Sequence, residues 1–220
     1  MTSKFNFSEL MKQRHSARKF QSKEIPEETL KSIITTALDS PSWCNSQPWN
    51  VYVVTGNPLK EIIKEWIAKN DEKIKGYGDI QPVHRTEFSE RCQKNMAEEF
   101  KLIEETTKDP ELKAFWRCNI ECFNSPAIVY LTVHKGHSKW SIYDLGGFGM
   151  ALMLAAKDQG VDSVVAYELT KYPDILRKHV KIPDGEDIAI GIALGYETDD
   201  IVNKFRAKKN TLDEVCHFVK

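Results

Sequence analysis

The chain has 220 residues, 41% of them hydrophobic, and a formal net charge of −1, enough to bury a sizeable core in one domain. Its near-neutral balance argues against nucleic-acid or anionic-membrane partners, which require a net basic surface. Apolar stretches such as residues 150–156 fall far short of the ~20 residues that span a bilayer, and residues 1–7 lack the apolar core of a signal peptide, so a cytoplasmic protein is expected.

Near the start, Arg14, His15, Ser16, Ala17 and Arg18 place two guanidinium groups and a hydroxyl within five residues, a pattern suited to an anion. Spacing alone equally allows an exposed basic pair at a helix end. Pro26 followed by Glu27 and Glu28 reads as a helix start, because proline suits the first helical position and acids suit the positive end of the dipole. Leu30, Ile33, Ile34, Ala37 and Leu38 continue an amphipathic helix that Pro41 must end. The Pro-bounded loop Pro41, Ser42, Trp43, Cys44, Asn45, Ser46, Gln47 and Pro48 then offers hydroxyls and amides that both donate and accept; capping the loop is their plainer role. It enters residues 50–55, a β-branched run closed by Gly56, Asn57 and Pro58 and read as a strand.

Residues 59–69 resume a helical pattern and 76–82 form a loop. Residues 87–108 and 111–123 read as helices, the first charged and exposed, a solvated cover over a core or a pocket. Residues 127–133 are a strand. Residues 145–156 are apolar on nearly every face, with charge at the ends as Asp144, Lys157 and Asp158. A helix hydrophobic all round must be covered on all sides, so a subunit interface is expected there. Gly146, Gly147 and Gly149 do not complete a dinucleotide fingerprint, since its third glycine would fall at Leu152 and no clear strand leads in; close helix packing explains them better. Residues 162–167 and 187–196 are strands, 172–179 a short helix, and Lys204, Arg206, Lys208 and Lys209 form a second basic cluster. No repeat or Gly/Ser linker breaks the chain, so residues 1–220 are expected to form a single domain. Strands and helices interleave without a regular βαβ rhythm, which favours an α+β fold.

Cys44, Cys92, Cys118, Cys122 and Cys216 are odd in number and lack C-x-x-C spacing. They read as reduced, mostly buried thiols. Cys118 and Cys122 would share a helical face with no histidine to complete a metal shell, and His134 and His137 lack a third ligand, so no metal site is expected.

Taken together, the R-H-S-A-R segment, the helix opened by Pro26, the P-S-W-C-N-S-Q-P-W loop entering a strand, the apolar helix from Asp144 to Gly160, the I-A-L-G-Y strand and the terminal basic stretch resemble the FMN-dependent nitroreductase family over most of the chain. The resemblance implies an α/β sandwich whose central, mostly antiparallel sheet is flanked by helices, in an intertwined homodimer. It assigns Arg14 and Ser16 to the phosphate of a non-covalent FMN, with main-chain contact from His15 and Arg18 beside the ring edge where negative charge collects on reduction. Pro41, Ser42, Trp43, Asn45 and Gln47 match the loop that reaches FMN from the opposite subunit. Trp43 and Cys44 depart there from the commoner small residues. Glu168 and Leu169 match the segment whose main-chain N–H points at flavin N5, where glycine is frequent and Leu169 is not glycine. Arg206 and Lys209 match a phosphate-binding basic pair, with Lys204 or Lys208 as substitutes after a shift in register.

The activity so implied is transfer of hydride from NADH or NADPH through flavin N5 to nitroaromatic or quinone-type acceptors by ping-pong turnover. No side chain is assigned as a catalytic acid or base. Reductive dehalogenation, enoate reduction and a flavin-binding module without turnover are the alternatives on the same fold. A helical interaction protein using residues 87–108 is the reading without flavin.

Overall fold

The computed structural model describes residues 6–108 and 110–220, so the signal-peptide reading of residues 1–5 lies outside the described residues. Four strands, β1 (Trp49–Thr55), β2 (Ala127–His134), β3 (Asp162–Ala166) and β4 (Glu186–Gly195), form one sheet in the order β1-β2-β4-β3. All three neighbouring pairs are antiparallel. The helices are α1 (Phe7–Gln13), α2 (Glu27–Ala37), α3 (Gly56–Asp71), α4 (Glu90–Thr106), α5 (Glu111–Ile120), α6 (Lys139–Asp158), α7 (Pro173–Val180) and α8 (Leu212–Val215).

β2 explains why the sheet is central. Seven of its eight residues are buried, and alternate side chains enter opposite cores, as the two-residue period of a strand demands. Ile128 and Tyr130 pack with Ile62 and Trp66 of α3, Phe115 of α5 and Leu176 of α7. Val129, Leu131 and Val133 pack with Ile33 of α2 and Phe148 and Leu152 of α6. The result is a helix, sheet, helix sandwich with one apolar core on each face, the expected α+β class.

β4 carries an irregularity that matters for the site. Leu131 pairs with Ile190 and Thr132 with Ile188, so Ala189 is an extra residue. A bulge of this kind shifts which side of the sheet the following residues face. The irregular pairing is braced from outside. Asp79 accepts a 2.8 Å bond from Ile188 N and holds the Arg177 guanidinium at 3.3 and 2.8 Å. Asp79 thereby fixes the long segment between α3 and α4 against the sheet and α7.

Several expectations need correction. α3 begins at Gly56, directly after β1, because Pro58 falls in its first turn, where a missing N–H costs nothing. α5 stops at Ile120 instead of running to 123, since Cys122, Phe123 and Asn124 all adopt left-handed backbone conformations. Cys122 therefore does not share a helical face with Cys118. Both are buried, but Cys44 is exposed and Cys92 and Cys216 are intermediate, so only two of the five thiols, all unpaired, are core residues. α6 starts at Lys139, capped by Ser138, whose Oγ accepts from Ser141 N. Asp144 consequently lies inside the helix and is buried rather than marking its end.

α6 is covered on one side only. Phe148 stacks on Trp49 with ring centroids 4.8 Å apart, and Gly149 lies against Leu131 and Ile192. On the opposite face Trp140 and Tyr143 are 62% and 75% exposed, with Gly146 and Gly147 facing open space. No helix among the described residues is long and apolar enough to cross a membrane.

Replacing Asp79 with alanine leaves the Ile188 N–H unpaired and takes from Arg177 its bidentate carboxylate, with the Glu186 carbonyl still bound, at an expected cost of about 2–4 kcal/mol. Thermal unfolding should report that loss, and limited proteolysis should show faster cleavage between α3 and α4 at temperatures where the wild type resists.

Candidate functional site

The chain leaves α1 at Arg14 in an extended conformation and runs along β3. Ala17 N donates to Ser163 O at 3.0 Å, and Ser16 forms a parallel bridge with Ser163. Ala17 and Phe20 turn inward and are buried, which fixes the course of the polar residues between them. Phe20 lies so close to Gly195 that a Cβ there would come within 2.7 Å of its ring. His15 uses both ring nitrogens on protein oxygens, Nδ1 at 2.9 Å from Gln13 O and Nε2 at 2.7 Å from Glu197 Oε2. The imidazole is therefore fully engaged within the protein.

The opposite end of the chain meets this segment through Asn203, a residue sequence reasoning missed. Its Oδ1 accepts from Arg18 N at 2.7 Å and Lys19 N at 3.2 Å, and its Nδ2 donates to Lys19 O and Thr198 O. Lys19 and Asp200 add an ion pair at 2.5 Å. The guanidinium of Arg18 sits over the rings of Phe115 and Phe205, 5.1 and 5.2 Å from their centroids. Burial lowers its pKa and the nearby charge of Arg206 lowers it further, while Glu99 opposes the shift. Arg206 turns its Nη1 to Asn203 O and Phe205 O at 2.6 and 2.8 Å, and Arg18 Nη1 reaches Ser16 O at 3.2 Å. Arg14 Nε is buried without a hydrogen-bond partner. Arg18 and Arg206 thus spend their hydrogen bonds on main-chain carbonyls and lie close enough for each charge to act on the other, a pairing of like charges suited to an anion.

The alternatives to Arg206 are otherwise engaged. Lys204 is paired with Asp199, and Lys208 lies 3.9 Å from Glu98. Lys209 is exposed and lines a groove of about 590 Å³ with Lys94, Glu98 and Glu99 of α4.

β3 ends in a single helical turn, Tyr167–Leu169, which begins just past Ala166, about 10 Å from Ser163 at ~3.3 Å per strand residue. Leu169 does not need glycine's freedom, because its backbone is not left-handed. The small residue has moved to the sheet instead. Gly191 lies under Leu169, where a Cβ would come 2.5 Å from the Leu169 Cβ. Glu168 turns inward to Lys171 at 2.6 Å. Burial pushes its carboxyl pKa up, and Lys171 opposes that.

The amide-bearing loop is anchored to α6. Trp43 N donates to Asp144 Oδ2 at 3.0 Å, Gln47 N to Ser42 Oγ at 2.9 Å and Gln47 Nε2 to Asn45 Oδ1 at 3.1 Å. Cys44, Asn45 and Gln47 have φ of 49°, 56° and 45°, conformations that cost about 1 kcal/mol or more each for residues with a side chain. Pro41 and Trp43 are exposed. Thus Arg18 and Arg206 lie together, Arg14 and Ser16 belong to the segment that leads into Arg18 along β3, Glu168 and Leu169 lie at the far end of β3, and the loop stands on α6.

The Nitroreductase family model matches residues 11–196. The chain belongs to the nitroreductase family. Among relatives of this nitroreductase-family chain, 4-nitrobenzoate reductase from Pseudomonas putida is 25% identical over 218 residues, covering 97% of this chain and 96% of the relative. Nitrobenzene nitroreductase from Ectopseudomonas oleovorans is 26% identical over 221 residues, covering 96% of both. Among solved structures, the FMN-dependent nitroreductase NfnB from Mycobacterium smegmatis in complex with NADPH superposes with a TM-score of 0.88 at 24% identity over 97% of each chain, which shows a shared nitroreductase fold.

The Lys19 bond holds the Asp200 carboxyl below its usual range, against the opposing effect of burial. A depressed carboxylate pKa stabilises the fold above the unfolded value of ~3.9 and stops doing so as pH falls through the folded value. Asp200→Asn should therefore lower stability by about 0.5–1 kcal/mol near neutral pH, with the two urea midpoints converging as acidification protonates the Asp200 carboxylate of the folded protein.

Proposed function

We propose that the chain is an FMN-dependent oxidoreductase, a single FMN-binding unit over residues 1–220, that takes hydride from NADH or NADPH and passes it to nitroaromatic or quinone-type acceptors. The observation that carries this reading is the meeting of Arg18 with Arg206 from opposite ends of the chain, on the segment that also carries Arg14, whose buried Nε has no hydrogen-bond partner. A phosphate carries about −1.5 to −2 charges near neutral pH, which matches that concentration of positive charge. The family membership and the nitroaromatic substrates in the names of both relatives support the same acceptor class.

Bound FMN supplies the hydride-accepting and hydride-donating atom, N5. In this reading Arg14, the hydroxyl of Ser16 and the main chain at His15 hold the phosphate, with Arg206 and Lys209 closing on it. Arg18, held by Phe115 and Phe205, sets a fixed positive charge near the ring edge, stabilising negative charge without reorganisation. The first N–H groups of the Tyr167–Leu169 turn would be the donors to the reactive atom, and nicotinamide and acceptor would occupy the same face in succession, giving ping-pong turnover.

Pro41, Ser42, Trp43, Asn45 and Gln47 act on the ring bound by a second copy of the chain, in an intertwined homodimer. Support comes from the uncovered face of α6 and from two features at opposite extremes of the fold. The C-terminal segment exposes Leu212, Val215, Phe218 and Val219, and the free edge of β1 borders a groove of about 690 Å³ lined in part by Ile25, Leu30, Ile34, Val53 and Pro126. Each offers apolar surface the other can cover. The five unpaired cysteines suit a cytoplasmic location.

Purified protein incubated with FMN should be yellow and should bleach anaerobically with NADH or NADPH; protein that stays colourless refutes the reading. Arg14→Met should raise the FMN dissociation constant about tenfold or more in a fluorescence titration, the loss of a charge-assisted bond worth ~1.5–3 kcal/mol. Deleting residues 212–220 should convert the dimer to monomer in sedimentation and weaken flavin uptake in parallel.

A further inference from the structure

We propose that Trp66 and Asn70, one helical turn apart on α3, are positioning residues for the redox centre, setting the tilt of the Tyr167–Leu169 turn from behind. The inference rests on the FMN reading above and deepens it.

Trp66 is fully buried, yet its Nε1 donates at 3.0 Å to one particular main-chain oxygen, that of Glu168. Asn70 Oδ1 accepts from Lys171 Nζ, whose other partner is the Glu168 carboxylate, and Asn70 Nδ2 donates back to Trp66 O at 2.8 Å. Just beyond α3, Tyr77 N donates to Lys171 O at 2.8 Å, and Ile74 O accepts from Tyr172 Oη at 2.7 Å. These anchors of residues 168–172 all come from α3 or the chain directly after it.

A trans peptide points its C=O and N–H in opposite directions. Holding Glu168 O toward α3 therefore fixes the rotation of the Glu168–Leu169 plane. The preceding plane is fixed by Thr170, whose N and Oγ1 both donate to Tyr167 O, at 2.8 and 3.1 Å; the N–H of that plane belongs to Glu168 and points the other way. The first N–H groups of a helical turn have no partner within it, so these are the donors a flat ring can use. Gly191 sets how deep the turn sits on the sheet, and α3 sets its angle. Neither Trp66 nor Asn70 touches the reacting atoms.

The test is the two-electron midpoint potential of bound FMN, together with its dissociation constant, in wild type, Trp66→Phe and Asn70→Ala. Phenylalanine keeps an aromatic ring in the core and removes the donor; alanine at the half-buried Asn70 removes the acceptor for Lys171. A turn whose N–H groups are mis-aimed loses affinity for oxidised and reduced flavin unequally. A tenfold inequality is expected for Trp66→Phe, equivalent to a shift of about 30 mV for a two-electron couple, and a smaller shift of the same sign for Asn70→Ala. A merely structural role lowers the melting temperature and leaves the potential where it was. If Trp66→Phe does not fold, Asn70→Ala decides alone. Wild-type protein that takes up no FMN overturns the reading of the site and this inference with it. FMN bound by wild type and the folded variants at one potential overturns the inference only.

Discussion

One buried amide joins the two ends of this chain. Asn203 is 3% exposed and fills its hydrogen-bonding capacity with the main chain at Arg18, Lys19 and Thr198. A buried amide with any of those bonds missing is costly, so the arrangement is close to all-or-none. It places Arg206 and Phe205 beside Arg18. The like charges of Arg18 and Arg206 would otherwise keep the two segments apart. The two cations are thus brought together against their own repulsion, held by neutral hydrogen bonds and by the Lys19–Asp200 pair.

The amide-bearing loop follows a similar logic at the other end of α6. Three left-handed residues within four positions would relax if the loop were free. The bond from Trp43 N to the buried Asp144 carboxylate and the internal bonds of Ser42, Asn45 and Gln47 oppose that relaxation. Asp144 sits on the helix whose outer face carries Trp140, Tyr143 and two glycines open to solvent. The loop's geometry is therefore tied to the same helix that presents the uncovered apolar face.

Much of the fold was legible because it follows from periodicity. β2, β4, α2 and the apolar part of α6 announce themselves through apolar spacing and through Pro26, Pro41 and Gly160. The errors have local causes. α1 was passed over although Asn6 and Glu9 form a capping box, a readable signal. The start of α6 was placed late because its first turn is polar and aromatic, although Ser138 marked the cap. The end of α5 was unreadable, since Cys122, Phe123 and Asn124 take left-handed conformations without a glycine. Of the site, the arginines and the amide loop were visible as residue types. Asn203, Trp66, Asp144 and Gly191 were not, because each acts on a residue 40 or more positions away or, for Gly191, 22, and nothing beside it in sequence sets it apart.

The extra residue at Ala189 resets the alternation of β4, so that Ile188 and Ile190, two positions apart, enter opposite cores. Beyond it, Ile192 and Leu194 belong to the α6 core while Ala193 belongs to the α3 core, and Gly191 comes to lie beneath Leu169. Removing Ala189 would leave that facing intact, since Ile188 and Ile190 already pair with adjacent residues of β2 and enter opposite cores; what the strand would lose is the local bend and twist that a bulge imposes. The extra residue therefore shapes the path of β4 just before the glycine on which the Tyr167–Leu169 turn stands.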